Sequence, residues 1–250
     1  KFSKKLNIYE NPKELYSISL GSAETTLLKL TAAYCSFVNG GKLIEPIYID
    51  RIQDSEGHTI FNSEKRVCDR CEAISYLGNN YPKIKDNFLQ IFSEETAYQL
   101  TSMLEGAVQR GTGKGLKDLN LNLAGKTGTT NKNTDAWFIG FTSNIVVGVY
   151  VGFDEPKTLG KIETGARAAL PIFKLFMKNA VKRKDSRPFK VAKNIKMMVV
   201  DPITGEKAKF GSKKTIIEAY KKENIRNLNL NLNNGNLKYR FNKHNILQFY

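Results

Sequence analysis

Between Leu121 and Phe153 the chain reads as strands in close succession, and this narrows the folds open to it more than any other feature. The run Leu121 to Thr129 is followed by Ala136 to Phe141, a tight connection at Thr142-Ser143-Asn144, and Ile145 to Phe153. In the last of these Ile145, Val147, Val149 and Val151 share one face, while Gly148 and Gly152 fall on the other, where a helix can approach closely. An amphipathic helix from Pro171 to Val181, apolar at Ile172, Leu175, Phe176 and Val181, is suited to covering such a sheet. Two further helices precede the strands. Thr25 to Phe37 carries an apolar stripe that stops at Asn39-Gly40-Gly41, and Ser93 to Val108 opens on an N-cap serine with Glu94 and Glu95 in its first turn.

The first strand ends in Gly125-Lys126-Thr127-Gly128-Thr129-Thr130. A lysine, hydroxyls and a bare glycine backbone in one exposed strand can hold a carboxylate and let a substrate main chain lie close, which suits acyl transfer on a peptide. The triplet Lys126-Thr127-Gly128 alone is weak, since chance places one in roughly one chain in twenty of this length. Its surroundings add weight: Gln109-Arg110-Gly111-Thr112-Gly113 upstream, then Asp135-Ala136-Trp137-Phe138-Ile139-Gly140, Glu163-Thr164-Gly165 and Ala169-Leu170-Pro171-Ile172-Phe173.

With these motifs the chain resembles the transpeptidase domain of the bifunctional penicillin-binding proteins, which make and crosslink peptidoglycan. Ser19 to Leu27, Ala32-Ala33-Tyr34 and Val38-Asn39-Gly40-Gly41 are similar to the segment after that family's middle motif, and Pro46 to Ile60 reads as a hairpin turning at Asp54-Ser55-Glu56-Gly57. The resemblance implies an α/β (α+β) fold: an antiparallel sheet flanked by helices, of the penicillin-recognising serine transpeptidase and β-lactamase-like kind, here incomplete. It also implies the site. Lys126 supplies positive charge beside the substrate carboxylate and the proton path. Thr127 and Thr129 offer hydroxyl hydrogen bonds, Gly128 allows close backbone approach, and the N–H of Thr129 is one half of the oxyanion hole. Thr130 joins the substrate-binding set, although its first expected task, with Asp135 and Trp137, is to organise the strand end. The implied partners are peptidoglycan stem peptides and β-lactams.

Family enzymes also need a Ser-x-x-Lys, whose serine is acylated, and a Ser-x-Asn. No serine of this sequence has Lys three residues on or Asn two residues on, and the threonine imitations, such as Thr26-Leu27-Leu28-Lys29, are misplaced. The expectation is therefore a C-terminal part of a longer enzyme, or a split gene product, whose missing N-terminal half brings the nucleophile. That half would also bring the membrane anchor, holding the site on the periplasmic face of the inner membrane; these residues contain no run of about twenty apolar residues. A noncatalytic remnant or interaction module is the alternative. A nucleotide-binding reading of Gly125-Lys126-Thr127 is weaker, because a phosphate loop needs glycine where Asn120 stands and a helix after the Lys-Thr.

The net charge of +15 sits in the tail: residues 181–250 hold 17 Lys and Arg against 5 Asp and Glu, residues 1–180 hold 22 against 19. Without a nucleic-acid fold signature or a stacking pattern of aromatics, this charge does not imply nucleic acid as a partner. We expect residues 1–180 to form the C-terminal part of the transpeptidase domain, with an irregular insertion at about 62–92, and 181–250 a basic appended unit. In that unit a helical stretch is expected near Thr215 to Lys222, and Asn227 to Gly235 alternates like a strand. Cys68-Asp69-Arg70-Cys71 lacks a second pair to complete a zinc site, and reads as an incidental or locally disulfide-linked pair. No metal or organic cofactor is implied.

Overall fold

The computed structural model describes residues 1–64, 66–71, 81–85, 87–209, 211–212 and 214–225. A single turn, α1 (Phe2–Lys5), precedes α2 (Leu27–Val38), which starts where the Thr26 hydroxyl accepts the Lys29 N–H at 3.2 Å. α3 (Glu94–Gln109) is capped as its sequence predicts: Ser93 accepts the Thr96 N–H at 3.3 Å, and Glu94 and Glu95 lie near the positive end of the helix dipole. Between these helices β1 (Arg51–Gln53) and β2 (Thr59–Asn62) form the expected hairpin, closed by Asp54, whose carboxylate accepts the backbone N–H groups of Glu56 and His58. The segment expected to be irregular contains a short antiparallel ladder, β3 (Val67–Asp69) with β4 (Lys83–Lys85), and a Cys68–Cys71 disulfide at the end of β3. The loop signal at residues 78–82 falls largely outside the described residues, as does the alternating stretch from Asn227 to Gly235.

The central sheet is antiparallel, in the order β5 (Ala124–Thr129), β6 (Asp135–Phe141), β7 (Val146–Gly152). Alternation gives it two apolar faces. On one, Phe138 meets Phe173 edge-on with ring centroids 4.7 Å apart, in a core with Val108, Leu116, Leu123, Ala169, Leu170 and Met177, and Ile145, Val147, Val149 and Val151 pack against it. On the other lies α2. A Cβ at Gly148 would be 2.1 Å from Thr31 Oγ1 and 3.0 Å from Leu27 Cδ1, so the missing side chain lets the helix seat against β7. The same expectation fails at Gly152, whose open face is filled by the Tyr150 side chain and Asp135 rather than by a helix.

Helix α4 (Leu170–Ala180) covers the Phe138 face, but through a different stripe from the one expected. Leu170, Phe173 and Met177 are buried, whereas Ile172, Leu175 and Phe176 are exposed, and of the expected stripe Val181 alone packs against this core. Both stripes are apolar, and only contact with Phe138 selects between them. Beyond it, β8 (Ile195–Val200) pairs with β9 (Ile216–Lys221), which replaces the helix expected at 215–222. The adjacent β-branched pair Ile216-Ile217 favours the strand, and pairing with β8 overrides the helix-forming residues around it. This hairpin docks on α3: Ile195 and Ala219 pack against Tyr98, Gln99 Nε2 donates to the Ala219 carbonyl at 3.0 Å, Asn194 to Glu95 at 3.0 Å, and Arg110 pairs with Glu218 at 3.1 Å.

Candidate active site

Strand β5 presents the triplet on the edge away from β6. Residues 129 and 136 are register partners, and the Thr130 N–H donates to the Asp135 carbonyl at 3.1 Å. Bonding pairs alternate along an antiparallel ladder, so residues 130, 128 and 126 bond to β6, while the N–H and C=O groups of Thr127 and Thr129 point outward. The outward Thr127 carbonyl accepts from Lys126 Nζ at 3.0 Å.

Side-chain alternation distributes the chemistry around this edge. Lys126 shares the α2 face with Trp137, and Thr127 and Thr129 share the α4 face with Phe138. A chain lying along the edge would thus have an ammonium on one side, two hydroxyls on the other and the Thr129 N–H in front. Among the described residues no carboxylate pairs with Lys126, which leaves its charge for an anionic group. Each hydroxyl has one neighbour: Thr127 Oγ1 is 2.9 Å from Thr112 Oγ1, in the loop that follows α3, and Thr129 Oγ1 accepts the Gly165 N–H at 3.0 Å.

Thr130 and Asp135 lock the end of the strand. The Thr130 hydroxyl lies 3.0 Å from Asp135 Oδ2 and accepts the Asp135 N–H at 2.8 Å, Thr134 Oγ1 donates to Oδ2 at 3.1 Å, and the Tyr150 hydroxyl donates to Oδ1 at 2.8 Å. The hydrogen bond to Asp135 holds Tyr150 above the ordinary tyrosine pKa and keeps it a donor. Trp137 packs on Tyr150 with centroids 4.7 Å apart. In this arrangement Thr130 is engaged in the turn, and Lys126, Thr127 and Thr129 flank the open edge.

Two contributors were not singled out from sequence for this site. Thr112 belongs to a motif noted only as a family signature, and Gly165 to another; their approach to the triplet is tertiary. A cleft of about 620 Å³ lies elsewhere, between residues 8–13 and Thr26 and Lys29, and shares no residue with the triplet. Asp54, Glu56 and His58 bring ligand-type atoms within 4.8 Å of one another on the β1–β2 turn, but all three are exposed and bonded as turn residues, and no metal is assigned to them. Lys126 and Thr127 lie within a strand and do not open an α-helix, the opposite of a phosphate loop.

Comparison with known proteins identifies the family of this chain. The family model for the penicillin binding protein transpeptidase domain matches residues 4–178. Penicillin-binding protein 1A of Rickettsia prowazekii is 46% identical over 227 residues, which cover 90% of this chain and 28% of that protein. The same protein of Pseudomonas aeruginosa is 33% identical over 238 residues, covering 83% of this chain and 29% of its own length. The chain therefore spans under a third of these relatives. Among solved structures, penicillin-binding protein 1A from Haemophilus influenzae superposes with a TM-score of 0.72 at 29% identity, over 87% of this chain and 35% of that one. PonA1 from Mycobacterium tuberculosis, at 0.57 and 20% identity over 75% and 50%, shares the fold.

Proposed function

Because the chain belongs to the penicillin-binding protein transpeptidase family, we propose that it forms the Lys-Thr-Gly wall of a peptidoglycan D,D-transpeptidase site, completed by a serine-bearing segment outside this sequence. The observation that carries the reading is the outward edge of β5, with Lys126 on one side and Thr127 and Thr129 on the other. In the reaction, the serine attacks the carbonyl of a D-alanyl-D-alanine stem peptide, D-alanine leaves, and an amine of a neighbouring strand takes the acyl group. Lys126 balances the substrate carboxylate, the hydroxyls of Thr127 and Thr129 donate to it, and the outward Thr129 N–H stabilises the oxyanion as it forms. Penicillin, which carries a carboxylate beside a strained amide, would occupy the same edge and leave a stable ester on the serine. The site would lie on the periplasmic face of the inner membrane, with residues 1–180 as the catalytic part and 181–250 as a basic accessory unit. No described helix is long and apolar enough to cross a membrane.

The test is labelling with a fluorescent penicillin, read on a denaturing gel, of the chain alone and mixed with the serine-bearing segment that this reading requires. The expected result is label on that segment, only in the mixture, and lost with Lys126→Ala. Label on this chain would overturn the assignment of the nucleophile to another segment. No label in either case, with the chain folded, would favour a noncatalytic remnant.

A further inference from the structure

A wide π-type turn, Gly165–Ala169, runs directly into α4, and its first residue lies against the triplet. A Cβ at Gly165 would be 2.4 Å from the Trp137 carbonyl oxygen, 2.5 Å from that of Gly128 and 3.2 Å from the Gly128 nitrogen. The backbone of residue 165 thus rests on the Gly128–Trp137 pair, the rung of the ladder beside Thr129. Its N–H meets Thr129 Oγ1 at 3.0 Å.

A threonine hydroxyl has one hydrogen to donate and two lone pairs. Once an N–H occupies a lone pair, the hydroxyl hydrogen is confined to the two remaining staggered positions, both directed away from that donor. Thr129 is exposed and Gly165 approaches from the α4 side, which leaves the open edge among the directions this hydrogen can take. We propose that Gly165 is a positioning residue of this site: its amide fixes the Thr129 hydroxyl as a hydrogen-bond donor to the substrate carboxylate, and its bare Cα sets the seating of β5 at Gly128. The proposal rests on the reading that a substrate carboxylate lies against Thr129. It adds that the donor's orientation comes from the turn that leads into α4, not from the strand that carries Thr129.

Two measurements separate the proposal from that reading. The first uses this chain alone. Amide hydrogen exchange at Gly165 should be slow in the wild type, about tenfold faster in Thr129→Val, and restored by Thr129→Ser, which keeps the acceptor. Exchange indifferent to Thr129→Val would overturn the contact whatever the function. The second uses the mixture with the serine-bearing segment, and compares acylation rates for benzylpenicillin and its carboxylate methyl ester. Gly165→Ala adds an atom against backbone and can unfold the turn, so the deciding variant is an amide-to-ester replacement at Gly165, which exchanges the N–H for an oxygen of similar size and puts no further atom against the backbone. It should lower the benzylpenicillin rate by about tenfold and the methyl ester rate by less than about twofold, because only the former presents the carboxylate. Equal losses would mark Gly165 as merely structural and overturn the proposal. A wild-type mixture that is not acylated would overturn the functional reading and the proposal with it, even where the exchange result stands.

Discussion

Tyr34 shows how one side chain reports the packing around it. Its ring lies edge-on to Phe37 and Phe141, with centroids 5.1 and 6.4 Å away, and burial pushes its hydroxyl up to about 12. The unfolded chain ionises this group near pH 10 and the folded protein only about two units higher. Its contribution is therefore complete below pH 10 and is lost as the pH rises through 12, by at most about 3 kcal/mol. Urea midpoints on either side of this window should fall in the wild type and fall less in Tyr34→Phe; equal slopes would exclude Tyr34 as the source. Sequence could not expose that environment, since Phe141 lies over a hundred positions away. The triplet and the threonine after it were legible for a simpler reason: Lys126, Thr127, Gly128 and Thr129 owe their disposition to strand alternation, which is a property of the sequence itself. Gly165 was not, because a glycine needed for close approach looks like any other until the approaching backbone is known.

Helices and strands were legible where local chemistry decides them. Ser93 with Glu94 and Glu95 fixed the start of α3, and the valines of β7 fixed its inward face. The misses share one cause. In α4 two apolar stripes compete and contact with Phe138 selects Leu170, Phe173 and Met177; in β9 the partner β8 converts a stretch with helix formers into a strand. A tertiary partner decides in both, and periodicity carries no record of the partner. Gly148 allows the seating of α2 to be tested. A Cβ there collides with Thr31 Oγ1, and among the described residues Thr31 spends that hydroxyl only on the Leu27 carbonyl one turn back, at 2.7 Å. Gly148→Ala should cost about 1–3 kcal/mol, as overpacking does, and Thr31→Ala in the same chain should recover most of it. Thermal melts of the two single variants and the double variant check the coupling; simple additivity would mean that α2 does not sit where described.

At the scale of the whole molecule, β7 bonds to β6 through residues 145, 147, 149 and 151, so the backbone groups of 146, 148, 150 and 152 face outward, with no strand beside them among the described residues. With Ile172, Leu175 and Phe176 exposed on α4, such an edge is a template for other chains, and we expect self-association. Val146→Pro removes one outward N–H and no bond to β6, and should shift sedimentation toward the monomer. A monodisperse wild-type monomer would count against this. The hairpin of β8 and β9 has a different consequence. It holds α3 near both ends, at Glu95 and at Arg110, through residues about a hundred positions further along the chain. Such distant contacts slow folding, because the intervening loop must close before they form. During synthesis α3 and the sheet emerge first, and a nascent chain that has reached only Val181 has nothing yet to lay on Tyr98 and Gln99. The helix that leads to Thr112, and through it to Thr127, is secured only after residues 194–218 have left the ribosome, so the site acquires its final shape well after its own strand has been made.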